Sequence, residues 1–154
     1  MVKFQYQKLR KKFMKNRKIL GYTSGVFDLF HIGHLNILKN AKSLCDKLIV
    51  GVTTDELVMQ YKGKNTVIPF EERCEIIRNI KCVDTVVAQE NMDKISLWKK
   101  LNYDIMFVGD DWQKTKKWNT IESEFKKHQV KIVYFPYTKG TSSTKINKIL
   151  DSYI

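Results

Sequence analysis

From residue 19 onward, short apolar runs alternate with amphipathic stretches. Residues 19–23, 47–52, 85–88, 105–108 and 130–135 are rich in Ile and Val and too short to be helices that bury a full stripe. They read as strands covered on both faces. Between them, Leu35, Leu38, Ala41 and Cys45 recur at helical spacing, as do Cys74, Ile77 and Ile80. Residues 55–61, 92–101, 117–128 and 142–150 are further helical stretches. Strand and helix in strict alternation predict parallel βαβ units: an α/β, Rossmann-like open sheet of five parallel strands with helices on both faces. In such a sheet, ligands bind beyond the carboxyl ends of the strands. Functional residues should therefore follow strands.

The chain has 154 residues, 43% of them hydrophobic and 29% charged, enough for one packed domain and unlike a disordered composition. No apolar run approaches the ~20 residues that cross a bilayer, and no apolar stretch at the N-terminus resembles a secretory signal. A cytoplasmic protein is expected. Cys45, Cys74 and Cys82 are odd in number and widely spaced, as buried free thiols would be rather than a zinc site or disulfide framework.

The net charge of +12 is concentrated at one end. Residues 1–18 hold eight Lys or Arg and no acid, leaving 20 basic against 16 acidic residues in the rest. Residues 1–17 are thus set apart as a basic N-terminal extension, and 18–154 form a single domain. A basic leader is weak evidence for nucleic acid, and no RNA-recognition motif accompanies it, so no nucleic acid is expected as a partner. Tyr6, Leu9 and Phe13 would form an apolar stripe on a helix there, suited to weak contact with an anionic membrane or to packing on protein.

The first strand runs into Gly25-Val26-Phe27-Asp28-Leu29-Phe30-His31-Ile32-Gly33-His34, directly before a helix. Gly25 permits a tight exit and Gly33 a close backbone approach to a ligand. His31 and His34, three apart at a helix start, can face the same way. Two imidazoles and a helix N-terminus together make a phosphate site that donates hydrogen bonds to a crowded phosphorus. Asp28 fits either a ligand-facing carboxylate or a turn cap. Gly109-Asp110-Asp111-Trp112 follows the fourth strand, where paired carboxylates suit either a base edge or Mg²⁺. Lys62 and Lys64, in Tyr61-Lys62-Gly63-Lys64-Asn65, suit phosphates or plain solvation. The hydroxyls after Tyr137-Thr138-Lys139-Gly140, in Thr141-Ser142-Ser143-Thr144-Lys145, exceed what capping a helix needs.

These segments carry a family resemblance. GVFDLFHIGH resembles the GxFDxxHxGH motif of the cytidylyltransferase-like nucleotidyltransferases, and the likeness runs from about Tyr22 to Leu150. It is strongest to the branch that makes CDP-glycerol, a donor for wall or capsule polymers. HxGH also occurs in class I aminoacyl-tRNA synthetases, whose additional loop and tRNA-binding domains have no counterpart here. The resemblance implies a homodimer that condenses CTP with a small phosphorylated alcohol, glycerol 3-phosphate first of all, and releases pyrophosphate. Ribitol, ethanolamine or choline phosphate as acceptor, AMP transfer, and a non-catalytic nucleotide sensor are the alternatives. It further implies that His31 and His34 act on the α-phosphate, with Lys62 and Lys64 beside them as catalytic cations. Nucleotide contacts would come from Gly25, Val26, Phe27, Asp28, Arg73 in the EHR-like Glu71-Glu72-Arg73, Asp110, Asp111 and Trp112 at the base, and Thr138, Gly140, Ser142, Ser143 and Thr144. Mg²⁺ would be held mainly by the CTP phosphates, with no dedicated protein ligand. Against the family's RTEGISTT, Tyr137 stands in place of arginine and Lys139 in place of glutamate, so a cation is lost that tyrosine cannot replace, and either Lys139 or Lys145 substitutes or the acceptor differs.

Overall fold

A computed structural model describes residues 17–110 and 115–153. The leader stripe of Tyr6, Leu9 and Phe13 lies outside the described residues, as do Asp111 and Trp112. Five strands, β1 (Leu20–Gly25), β2 (Lys47–Thr53), β3 (Thr85–Gln89), β4 (Ile105–Gly109) and β5 (Lys131–Phe135), form one sheet in the order β3-β2-β1-β4-β5. Every pairing is parallel. Among the described residues, six helices connect or follow them: α1 (Ile32–Lys42), α2 (Asp55–Lys62), α3 (Phe70–Arg78), α4 (Lys94–Leu101), α5 (Lys116–Lys127) and α6 (Ser143–Asp151).

Alternation along the strands divides the core in two. Leu48, Val50 and Val52 of β2, with Ile105 and Phe107 of β4, face Leu38 and Ala41 of α1 and Cys74 and Ile77 of α3. Tyr22, Ile49, Met106 and Val108 point the other way, toward Trp118 and Phe125 of α5 with Trp98 of α4 packed alongside. Both faces of the sheet are therefore covered. The strand order reverses between β1 and β4, and a crevice opens at their carboxyl ends.

The opposite edge of the sheet is pinned by three aspartates that precede β2, β4 and β3. Asp46, Asp104 and Asp84 accept from the N–H groups of Ile19 (2.7 Å), Leu20 (2.9 Å) and Leu48 (2.7 Å). Each returns its own N–H to the carbonyl of the same residue, at 2.9, 2.8 and 3.0 Å. The exchange fixes strand register where no ligand is expected. Arg17, at the edge of the basic leader, pairs with Asp104.

The helix starts explain why the sequence boundaries shift. Asp93, Thr115 and Ser142 each accept a backbone N–H of the first turn, so α4 begins after Asp93 rather than at Met92, and α6 after Ser142. Pro69 offers no side-chain cap to α3, and Asp55 supplies one from α2 by accepting from Phe70 N–H at 3.0 Å. All three cysteines are free thiols. No described helix is long and apolar enough to cross a membrane.

Gly51 leaves room for a side chain from the neighbouring strand: a Cβ there would stand 2.2 Å from Tyr22 Oη. Tyr22 is fully buried and stacked on Tyr103 at 4.9 Å, so it cannot retreat cheaply. Gly51→Ala should cost about 1–3 kcal/mol, the range for overpacking a tight core. Urea unfolding measures it; an unchanged midpoint would show that the Tyr22 ring moves freely.

Candidate active site

The crevice at the carboxyl ends of β1 and β4 is a cleft of about 350 Å³. Of the residues singled out from sequence, it gathers Gly25, Val26, Phe27, Asp28, His34, Lys62, Lys64, Ser143 and Thr144 on its walls. Ser24, Gln89, Lys94, Gly109, Lys117, Trp118 and Asn147 join them.

His31 is the N-cap of α1. Its Nδ1 accepts from Gly33 N–H at 3.0 Å, and His34 Nδ1 accepts from His31 N–H at 3.3 Å, a reciprocal capping box made of two imidazoles. An accepting Nδ1 carries no proton, so each neutral ring holds its proton on Nε2, away from the helix. The rings stack at 3.9 Å. His34 is further held by Phe27 and Phe30, each with its ring centre 5.4 Å away. Phe27 (φ 57°) and Leu29 (φ 49°) adopt left-handed backbone that non-glycine residues rarely take, strain of the kind kept at sites. The space above Gly33, expected to admit a ligand, is filled by His31: a Cβ on Gly33 would lie 2.8 Å from His31 Cε1.

Charge follows from this packing. Burial, and then the neighbouring His31, push the His34 imidazole down to about 4, while Asp28 pulls upward and Lys62 adds to the fall. Burial lowers His31 as well. Both rings are therefore neutral donors at neutral pH. Burial and Lys64 hold the Lys62 ammonium below its usual value, with Asp28 opposing them.

One expectation is corrected, and one left open is decided toward the turn. Arg73 was expected at the nucleotide, but it is 0% exposed and its guanidinium is engaged below the cleft. Nε donates to Ile68 O at 2.9 Å, Nη1 to Val26 O at 2.6 Å and Thr53 O at 2.8 Å, and Nη2 pairs with Asp55. Asp28 lines the cleft, yet its carboxylate accepts from Leu29, Val67 and Ile68 N–H at 3.1, 2.8 and 2.9 Å. It clasps the loop before α3 and is not left open to a ligand.

The β5–α6 loop divides its roles. Ser142 Oγ caps α6 by accepting from Lys145 N–H at 3.1 Å, and Ser143 Oγ donates to Asp28 O at 2.7 Å. Ser143 and Thr144 line the cleft, so the N-terminus of α6 opens toward it, while of the first turn of α1 His34 lines it and His31 stands behind. Thr138 Oγ1 accepts from Asn36 of α1 at 3.5 Å, and Gly140 turns the chain with φ 101°. Asp110 is exposed and off the described cleft wall. Tyr137 is 61% exposed, and Lys145 Nζ folds back to Gly140 O at 3.0 Å, so neither occupies the cleft.

Lys94 escaped the sequence reading altogether. Only 7% exposed, it reaches the cleft from the first position of α4 and donates to Ser24 Oγ at 3.0 Å. The one available signal was a lysine at a helix start, where the dipole disfavours a cation.

Two outcomes follow from this geometry. Arg73→Leu should cost about 3 kcal/mol or more by stranding three carbonyl groups and Asp55; a variant of normal stability with a raised nucleotide KM would instead put Arg73 in the cleft. The second concerns pH. Folded His34 stays neutral down to about 4, whereas an unfolded histidine takes up its proton near 6.5. Between those values the unfolded chain binds more protons, so stability falls as pH drops through the window. Urea titrations at pH 7 and pH 5 should show His34→Asn losing less stability than the unaltered chain; equal losses would mean His34 is already protonated when folded.

Comparison with known proteins gives the family. Residues 22–149 match the Cytidylyltransferase-like family. The chain is 38% identical over 137 residues to the glycerol-3-phosphate cytidylyltransferase of Bacillus spizizenii, covering 88% of this chain and 98% of that protein. It is 34% identical over 143 residues to the FAD synthase of Thermococcus sibiricus, covering 91% and 95%. Among solved structures, the lipopolysaccharide core biosynthesis protein of Thermoplasma volcanium superposes with a TM-score of 0.66 at 27% identity, over 81% of this chain and 100% of that one. Matched along nearly its whole described length, the chain belongs to the cytidylyltransferase-like family and is a nucleotidyltransferase.

Proposed function

We propose that the enzyme transfers CMP from CTP to the phosphate of a small phosphorylated alcohol, glycerol 3-phosphate, releasing pyrophosphate. The observation that carries this reading is the imidazole pair: two neutral rings whose Nδ1 atoms are committed to backbone N–H groups and whose Nε2–H donors are thereby oriented. An acceptor phosphate oxygen attacks the α-phosphorus in line. A new P–O bond forms as the bond to the bridging oxygen of the β-phosphate breaks, and the electron pair leaves with pyrophosphate. The nucleophile is already ionised, so no general base is needed. His31 and His34 donate to the oxygens where charge accumulates, the N-termini of α1 and α6 add their dipoles, and Lys62 and Lys64 hold phosphate at the rim.

Mg²⁺ fits this donor set in one way only. Among the described residues no cluster of three His, Cys, Asp or Glu could hold a metal. Asp28, the one acidic residue on the described cleft wall, is occupied by backbone N–H groups. A Mg²⁺ would be carried on the triphosphate's own oxygens. It would supply neutralisation of phosphate charge.

The name of the Thermococcus relatives supports a second reading, adenylyl transfer to a flavin phosphate. Pyrophosphate release from each nucleoside triphosphate against glycerol 3-phosphate, ribitol, ethanolamine and choline phosphates and flavin mononucleotide decides between them. CTP with glycerol 3-phosphate should give the highest kcat/KM; turnover confined to ATP and the flavin would replace the reading.

Asparagine separates the two tasks of His31, because its Oδ1 can take the place of Nδ1 while nothing replaces Nε2–H. His31→Asn should keep Tm nearly unchanged and lower kcat by about 10²–10³, as when one oxyanion donor is lost. His31→Ala should add the loss of a helix cap, about 1 kcal/mol. A His31→Asn variant with more than half of normal turnover would remove His31 from the chemistry.

A further inference from the structure

Helix α6 lies on the domain the wrong way round for a helix that stabilises a core. Its polar residues Ser143, Thr144 and Asn147 line the cleft, and Ser143 Oγ donates to the carbonyl of Asp28. None of its residues is buried. Ile146, Ile149 and Leu150, with Tyr153 just past the helix, recur at i, i+3, i+4 and i+7 and make one apolar stripe. Ile149 is 50% exposed, Leu150 43% and Tyr153 85%. Such a stripe costs free energy in water for as long as nothing covers it.

Charge selects the cover. Lys139, Lys145 and Lys148 are exposed, and none of them is in an ion pair among the described residues. Asp151 is the one acidic residue between 137 and 153. The leader has the same signature, Tyr6, Leu9 and Phe13 among the eight Lys or Arg of residues 1–18. Like charge disfavours the leader as the cover of α6, whereas one anionic surface suits both. Elsewhere the pairing is reversed: exposed Val67 and Ile76 accompany exposed Glu71, Glu72 and Glu75, which an anionic surface would repel.

We propose that the outer face of α6 is a docking surface for an anionic lipid bilayer. Ile149, Leu150 and Tyr153 enter the headgroup region, and Lys139, Lys145 and Lys148 meet the lipid phosphates. A basic helix with one apolar face lies in the plane of such an interface. Tyrosine suits it, because the ring can enter the apolar layer while the hydroxyl stays wet. Cations beside an anionic leaflet add to the binding, and salt screens them. With so short a stripe, docking is reversible and needs both contributions. Thr144 and Asn147 leave the helix on a different side from the stripe, so docking keeps the cleft wall in place. The proposal is independent of which nucleotide or acceptor the cleft takes.

The test is co-sedimentation of the full chain with phosphatidylglycerol vesicles and with phosphatidylcholine vesicles, at about 50 mM salt, where screening is modest. The unaltered protein should bind the first and not the second. Ile149→Ser with Leu150→Ser should lower the partition coefficient about 10-fold or more. Lys145→Gln with Lys148→Gln should lower it about 10-fold, and by less as salt is raised. Tyr153→Ser, which lies beyond the helix and cannot unfold it, should weaken binding by a smaller factor. Ile76→Ser, on the acidic side, should leave binding unchanged. If the α6 variants bind as the unaltered chain does, while Leu9→Ser with Phe13→Ser abolishes binding, the contact belongs to the leader and the proposal falls. It falls as well if the unaltered chain ignores phosphatidylglycerol. In that case a lower molar mass of Ile149→Ser with Leu150→Ser in solution would make a second copy of the chain the occupant of the stripe.

Discussion

The buried guanidinium of Arg73 holds together everything at the carboxyl edge of the sheet. Beyond β1 and β2 the chain leaves the ladder, and the carbonyls of Val26, Thr53 and Ile68 lose the partners a strand would give them. One side chain supplies donors to all three and an ion pair to Asp55. Asp28 answers from the other side by accepting the N–H groups of Val67 and Ile68. The segment before α3 is thus clasped by a cation at its carbonyl and an anion at its amides. Burying Arg73 carries a desolvation cost, offset here because its neighbours are fixed acceptors already in place. Burial pushes the Asp55 carboxyl up, but Phe70 N–H, the Thr66 hydroxyl and Arg73 together bring it below its usual value.

That clasp explains how the imidazoles can be strained into place. Phe27 takes left-handed backbone between Val26 and Asp28, the two residues anchored by Arg73 and by the loop. Its ring can then pack against His34 and the core at once. In the proposed reaction the histidines need such support because their part would be positional. A neutral Nε2–H donates wherever it is aimed, with no charge to draw a phosphate in from solution. Long-range attraction is left to lysines, whose ammonium groups act as point charges. The cleft thus sets lysines on its wall, Lys62 and Lys64 among them, beside two rings fixed through their backbone bonds.

The fold was largely legible, because burial on both faces writes a strand as a plain apolar run and α/β alternation restricts the topology. The imidazole pair was legible too, since three-residue spacing at a helix start places both rings on one side. Side-chain direction was not. The Glu71-Glu72-Arg73 motif names the residue types but cannot say whether the arginine reaches up to a ligand or down to carbonyls. That is decided by Val26 and Thr53, 47 and 20 residues away in sequence. Asp28 is alike: its partners arrive with a loop about 40 residues later. Lys94 was not legible at all, because its inward turn is decided by Ser24, 70 residues earlier in sequence.

The two ends of the sheet carry opposite kinds of order. At the amino edge, Asp46, Asp84 and Asp104 satisfy neighbouring strands reciprocally, and every contact lowers the energy of the empty protein. At the carboxyl edge, Phe27 and Leu29 hold unfavourable backbone, and Lys94 holds an unpaired charge. Interactions that are poor without substrate and good with it are those that can distinguish a reacting complex from an empty cleft. A parallel sheet suits this separation because all its strands run the same way. Local stability can accumulate at one edge, and the other, joined to it by rigid ladders about five residues long, can remain strained without unfolding.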